Sequence, residues 1–162
     1  METKASFISP ACRKRLHVQG YENFSDKELN DYKFGIRFAY ACCITLVAFG
    51  LFFQSLPILA IAAIIASAGA FPPYHPFDYL YNYGIRNLLG KPKLPPRTNQ
   101  GRFACGIASV WLAITIYLLY NNHTVSANIL AIALLAVGIL VVTTDICIPS
   151  IIYNGIFKNE NR

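Results

Sequence analysis

Apolar residues come in four uninterrupted blocks. Residues 38–53, 56–74, 103–119 and 125–144 each lack a charged side chain. A spanning helix needs about 20 mostly apolar residues to cross roughly 30 Å of hydrocarbon. The first, third and fourth blocks meet this or nearly do. The second is shorter, because Pro57 opens it and Pro72-Pro73 close it, and it spans with its ends counted at the interface. A soluble helix buries one stripe and keeps a polar face. Residues 58–70 and 129–142 have no such face, so hydropathy disfavours a soluble four-helix bundle. Lipid offers no partner to an unpaired backbone group. The pattern therefore predicts an all-α integral membrane protein with four transmembrane helices.

Local signals set the helix limits. Residues 1–24 are polar and read as irregular, with Pro10 and Gly20. Ser25-Asp-Lys-Glu28 is a capping box, so a helix starts there and runs on to Phe53. Gln54-Ser-Leu turns the chain, and Pro57 suits the first turn of helix 2. Helix 2 carries Ala60, Ala62, Ala66 and Gly69, whose small size lets helices approach closely in lipid. It is the candidate for the most buried helix or for a dimer contact. Asp78 is placed to cap an interfacial amphipathic helix over 79–89, ended by Gly90. Its Tyr79, Tyr81 and Tyr83 suit the headgroup layer. Residues 91–96 read as extended and polyproline-like. Helix 3 is predicted over 102–120. Helix 4 is predicted over 125–148, ended by Pro149, with Ser150 capping a last turn over 151–157.

The chain also repeats. His75-Pro-Phe-Asp-Tyr-Leu-Tyr81-Asn82 aligns with Cys147-Ile-Pro-Ser-Ile-Ile-Tyr153-Asn154, and dropping one residue from the first copy brings Gly84-Ile85 onto Gly155-Ile156. Arg37-Phe-Ala39 and Arg102-Phe-Ala104 open the two helix pairs. Each unit holds two spans, so both enter from one side: two parallel helix-pair repeats, related by a pseudo-twofold axis along the membrane normal. The predicted organisation is an N-terminal arm (1–33), repeat 1 with helices 1 and 2 (34–74), an interfacial segment (75–101), repeat 2 with helices 3 and 4 and its exit motif (102–157), and a tail (158–162).

Charge orients this fold. Of 162 residues only 14% are charged, and the formal net charge is +6. All 14 Lys and Arg lie in the arm and the start of helix 1, in the middle segment, or in the tail. The two tight turns, 54–56 and 120–124, have none. The positive-inside rule places both termini and the middle segment in the cytoplasm. No basic, aromatic-interleaved platform marks a nucleic-acid partner. Residues 1–33 lack the apolar core of a signal peptide, so helix 1 reads as a retained span.

The paired Arg-Phe-Ala openings, Phe77-Asp-x-x-Tyr-Asn82 and Cys147-x-Pro-Ser-x-x-Tyr-Asn154 resemble a bacterial membrane family catalogued as domain of unknown function 4395. The resemblance covers roughly residues 33–157. It implies a four-helix integral domain of the bacterial inner membrane, found in some proteins beside thioredoxin-like or rhodanese-like modules. It brings no established activity. Some members carry Cys where this chain has His75, and that departure weakens a two-cysteine mechanism.

Candidate chemistry is sparse. Of five cysteines, Cys12 is expected in the cytoplasm and Cys42, Cys43, Cys105 and Cys147 in the cytoplasmic halves of helices. A disulfide is disfavoured on that side, and no Cys-x-x-Cys occurs. Cys147 and Cys105, at matching ends of helices 4 and 3, are the candidate catalytic thiols. The competing reading is that buried Cys acts as a small hydrophobe. His75 and Asp78, a turn apart, form a base-and-acid pair or, in the plainer reading, a cap with His75 wet at the surface. A lone His is a weak metal ligand, and no metal site is predicted. Asp145 is an acid too deep to stay unpaired, with Arg37 and Arg102 as expected partners. Tyr81 and Tyr153 complete the polar rim.

Three functions compete. A non-catalytic accessory or structural subunit, packing in a larger membrane complex or self-associating, predicts a dry Ala-rich contact face and no open cavity. Membrane lipid and other subunits or copies are its partners, and no cofactor is required. A thiol-redox or sulfur-handling protein would use Cys147 with Cys105, plus a quinone or a thioredoxin-like partner. It predicts a rim pocket holding Cys147, Asp145 and Arg102. A small oligomeric transporter needs a polar lining that helices 2 and 4 lack.

Overall fold

The structure, a computed structural model, describes residues 8–158, all of it helix, turn or extended connection with no strand. Helix α1 spans Pro10–Val18 and α2 Asp26–Phe52. Helix α3 spans Leu56–Ala70, α4 Pro76–Leu80 and α5 Arg86–Leu89, with a π-helical turn, Tyr81–Ile85, between α4 and α5. Helix α6 spans Asn99–Tyr120, α7 Thr124–Thr144 and α8 Ile148–Tyr153, and a second π-helical turn covers Asn154–Lys158. Three helices, α2, α6 and α7, are long and apolar enough to cross a membrane. The fourth apolar helix, α3, has 15 residues, about 22 Å at 1.5 Å per residue.

Three of the predicted helix limits form. The Ser25 hydroxyl accepts from the Glu28 N–H, and Glu28 reaches back to the Ser25 N–H at 2.8 Å. Pro57 sits in the first turn of α3. Gly90 ends α5 in the left-handed conformation, φ +61°, a geometry that costs glycine little.

The four apolar helices form a ring in which α2 packs on α3, α3 on α6, α6 on α7 and α7 on α2. Tight turns close the α2–α3 and α6–α7 hairpins at one end. Among the described residues every ion pair lies toward the other, charged end. Three apolar clusters fill the interior, the smallest made by Ala104, Val141 and Cys147. Val47, Leu59, Ala62 and Leu112 pack near the turns. Leu16, Leu29, Ile36, Tyr81 and Leu94 pack at the charged end. Helix α3 turns Leu59, Ala62, Ala66 and Gly69 inward, so its small-residue face is used within the bundle.

Five boundaries differ from expectation. Helix α6 starts at Asn99 rather than Arg102, because the Thr98 hydroxyl caps it by accepting from the Gly101 N–H. Helix α8 starts at Ile148 with Cys147 at its N-cap, so Ser150 lies inside the helix and does not cap it. The arm is not irregular before Ser25: the Ser9 hydroxyl accepts from the Cys12 N–H, Pro10 sits in the first turn, and α1 buries Cys12 and Leu16. The interfacial helix starts at Pro76, with His75 rather than Asp78 at its N-cap. Helix α7 stops at Thr144, not Ile148, because Asp145 adopts φ +60°. A left-handed residue cannot continue a right-handed helix, and Asp tolerates that conformation better than most side chains.

Candidate functional site

Two carboxylates organise the charged end. Asp78 lies in the first turn of α4, where its Oδ2 accepts from the His75 N–H at 2.9 Å. Arg97, arriving from the extended segment before α6, donates to the same carboxylate from Nε (2.8 Å) and Nη2 (3.0 Å). Both side chains are buried, at 4% and 5% exposure. A backbone bond from the Arg97 N–H to the Pro73 carbonyl fixes the approach. The guanidinium also lies over the Tyr40 ring, 5.1 Å from its centroid. This geometry suits a cation–π contact.

His75 is not wet at the surface; it is 1% exposed. Its Nδ1 accepts from the Phe77 N–H at 3.2 Å, which leaves the ring proton on Nε2. That nitrogen faces the Cys43 sulfur at 3.6 Å. A nitrogen that already carries the proton is a donor there, so His75 is not poised to deprotonate Cys43. Burial pushes the imidazole down to about 4 from 6.5, with the Arg97 charge lowering it further and Asp78 opposing. The folded protein thus binds this proton more weakly than the unfolded chain. Stability is full above pH 6.5 and is lost as pH falls from 6.5 toward 4, by up to roughly 3 kcal/mol. Unfolding midpoints in detergent across that window should fall for the wild type and stay flatter for His75→Asn. Parallel profiles would refute this.

The ring fits because residue 69 is glycine. A Cβ there would collide with the His75 Cδ2 and stand 3.0 Å from Nε2 and 3.1 Å from the Cys105 sulfur. Gly69→Ala should therefore destabilise the fold by about 1–3 kcal/mol, the usual cost of overpacking, despite the better helix propensity of alanine. An unchanged unfolding midpoint would mean that the His75 ring moves freely.

Asp145 anchors the second cluster. Its carboxylate takes two 2.6 Å bonds from Arg37, one to each oxygen. Lys33 stands 3.8 Å away, and the Cys12 thiol donates to Oδ2 at 3.1 Å. Gln19 donates to the Asp145 carbonyl at 2.8 Å and Arg15 to the Thr144 carbonyl at 2.6 Å. The arm is thus strapped across the end of α7. Burial pushes the Cys12 thiol above its usual value, and its bond to Asp145 adds to the rise. Cys12 itself is buried, 5% exposed, within this strap.

Of the two expected partners of Asp145, Arg37 takes that place and Arg102 does not. Arg102 donates from Nε to the Ala70 carbonyl at 3.0 Å and from Nη2 to the Phe71 carbonyl, closing the C-terminal end of α3. Tyr81, expected in the headgroup layer, is fully buried against Phe34 and Phe38 of α2. Tyr79 and Tyr83 are exposed. Tyr153 stacks outside the bundle, on Phe103 and Phe157.

The ring of helices encloses an apolar cavity of about 120 Å³. At its charged end it meets Tyr40, Cys43, His75, Arg97, Cys105 and Cys147. Asp145 and Arg102 do not reach it. Cys147, at the N-cap of α8, is 2% exposed. Burial raises its thiol above the usual value, against the opposing bond from Ser150. Among the described residues no three His, Cys, Asp or Glu side chains gather closely enough to hold a metal ion.

Sequence reasoning missed Arg97, Tyr40, Cys43 and the docking of Cys12. The one usable signal was Asp78 itself, an acid at the edge of an apolar block that needs a cation. Arg86, Lys91, Lys93 and Arg97 all lie within reach along the chain, and spacing does not choose among them.

The family model described as domain of unknown function (DUF4395) matches residues 33–158. The chain belongs to that family. The match takes in both carboxylate clusters and the cavity, and it leaves out α1. The family's description assigns no activity, so chemistry has to be argued from these side chains. Neither the curated proteins nor the solved structures contain a match to the chain.

Proposed function

We propose that this is a polytopic inner-membrane protein of bacterial type, with a non-catalytic accessory role: a subunit that packs in a larger membrane complex or with its own copies. One observation carries the reading. The ionisable side chains at the heart of the charged end are held by fixed partners, Asp78 by Arg97, Asp145 by Arg37, and His75 by its bond from Phe77, while in α1 the His17 Nε2 is buried without one. Catalytic groups are perturbed and free to exchange protons in a cleft; His75 and Arg97 border the cavity, but their bonding positions are taken by these fixed partners. Of the thiols near them, Cys12, Cys105 and Cys147 are buried and Cys43, beside His75, is half-buried.

On this reading the protein has four spans, with α3 the shortest, and both termini and the segment 75–101 in the cytoplasm. The two-repeat organisation draws support from paired contacts. Arg37 of α2 holds the end of α7, while Arg102 of α6 holds the end of α3. His75 and Cys147 occupy matching N-caps, and a π-helical turn follows each short helix at Tyr-Asn. A pseudo-twofold axis would exchange these pairs.

A second reading is favoured by the cavity itself, because the accessory role was expected to show no open cavity. Cys105 and Cys147 both line it. In the thiol-redox reading they form one disulfide, losing two electrons and two protons, and a quinone takes both to become a quinol.

One experiment separates the two. The protein is purified in mild detergent, its assembly state is measured by native mass spectrometry, and the same sample is treated with an alkylating reagent. A defined complex or oligomer with Cys147 unmodified supports the accessory reading. A monomer whose Cys147 alkylates rapidly, and which loses two thiols on exposure to a fully substituted quinone, overturns it.

A further inference from the structure

A second concavity lies outside the bundle, between α3, α6, α7 and α8. It is a groove of about 940 Å³. One stripe of α6 forms its floor, from Asn99 through Arg102 and Gly106 to Ile114. From Asn99 to Ile114 the helix rises roughly 22 Å, more than one leaflet of a hydrocarbon core about 30 Å thick. The walls are apolar along most of that length. Polarity is confined to the mouth, where Asn99, Arg102 and Tyr153 stand.

Charge marks what fits the mouth. Among the described residues Glu22, Asp26, Asp31, Asp78 and Asp145 are each in an ion pair, and Glu28 is in the capping box. None of them pairs with Arg102. Its Nε and Nη2 hold backbone carbonyls, and its Nη1 has no protein acceptor among those residues. A positive charge without a carboxylate, at the mouth of a chain-length apolar groove, complements one amphiphile: an acyl chain carrying an anionic head.

We propose that the α3–α6 groove binds one anionic phospholipid, its acyl chain along α6 and its phosphate on Arg102. The inference rests on the membrane reading above. A spanning helix of a partner protein is the competing occupant; it would fill the apolar length but leave the Arg102 charge facing no anion.

Gly106 gives the test. A Cβ at this position meets only the Ala70 Cβ, at 3.9 Å, an ordinary contact, and Gly106 lines the groove, so Gly106→Leu is chosen to place bulk there. Native mass spectrometry is run on protein in detergent with added phosphatidylglycerol or phosphatidylethanolamine. The wild type should retain one phosphatidylglycerol with about a tenfold preference over phosphatidylethanolamine, the value of one charge-assisted contact. Arg102→Gln should lower the preference to about one. Gly106→Leu should lose both lipids while keeping its unfolding midpoint, and this arm stands even where Arg102→Gln folds poorly. Equal retention of the two lipids overturns the proposal, and so does wild-type retention by Gly106→Leu. A dimer that Gly106→Leu disrupts, with lipid binding unchanged, assigns the groove to a second copy. Recovery of the protein in the aqueous fraction without detergent would instead overturn the membrane reading.

Discussion

Replacing Arg97 with methionine is expected to cost about 3–5 kcal/mol, the penalty for leaving a buried carboxylate without its cation. Methionine keeps much of the side-chain volume, so the loss reports charge rather than a hole. Asp78 is 3% exposed, and among the described residues no other basic group is within salt-bridge distance of it. The Tyr40 ring also loses its cation. Removing the stranded charge should restore most of the loss. In Arg97→Met/Asp78→Asn the amide oxygen at position 78 still accepts from the His75 N–H, so the cap of α4 survives. The double variant should recover more than half of the deficit, a coupling that only directly interacting groups show. Denaturation midpoints in a mixed-micelle titration measure both variants. A single variant within about 1 kcal/mol of wild type, or a double variant no better than the single one, would refute the pairing as a determinant of stability.

Sequence carried the bundle further than it carried the site, for a physical reason. Helix limits are set by neighbours along the chain. Ser25 and Glu28 are three residues apart, Pro57 acts on its own turn, and Gly90 acts through its own φ. These signals need no knowledge of the fold, and the structure keeps all three. The site is built from contacts between remote residues. Cys12 and Asp145 are 133 positions apart, Gln19 and Asp145 126, and Arg37 and Asp145 108. Depth and acidity at position 145 implied a cation, and Arg37 was one of two named. Nothing local marked α1 as the strap that covers the pair, because its polar sequence matches a carbonyl-rich helix end rather than an apolar face. His75 was misplaced for a related reason. A histidine beside three prolines reads as a surface turn; here glycine at position 69 opens the space that buries it. Burial of Tyr81 likewise depends on how α4 folds back under α2, and a tyrosine at a membrane boundary is equally at home in either place.

The second large effect is expected at Asp145, where two demands meet in one residue. Its backbone is left-handed, φ +60°, and its carboxylate holds Arg37, Lys33 and the Cys12 thiol. Asn and Ala separate the demands. Asparagine tolerates the left-handed region and removes only the charge. Arg37 is partly exposed and can recover some hydration, so Asp145→Asn should cost about 2–3 kcal/mol, below the range for a fully buried pair. Asp145→Ala adds the backbone penalty, roughly 1–2 kcal/mol more. The loss should be local before it is global, since α1 docks on this residue and on the carbonyl before it. A loss of about 2 kcal/mol in arm docking raises the undocked population roughly thirtyfold. Trypsin, cutting after Arg13, Lys14 and Arg15, reads that population directly. Cleavage should accelerate from wild type to Asp145→Asn to Asp145→Ala. Alkylation of Cys12 should follow the same order, but it also gains from losing the carboxylate that raises its thiol, so trypsin is the cleaner readout. Equal cleavage in all three proteins would show that the arm is held by Leu16 and its apolar neighbours alone. Equal rates for Asn and Ala, both fast, would place the whole effect in the charge and none in the turn.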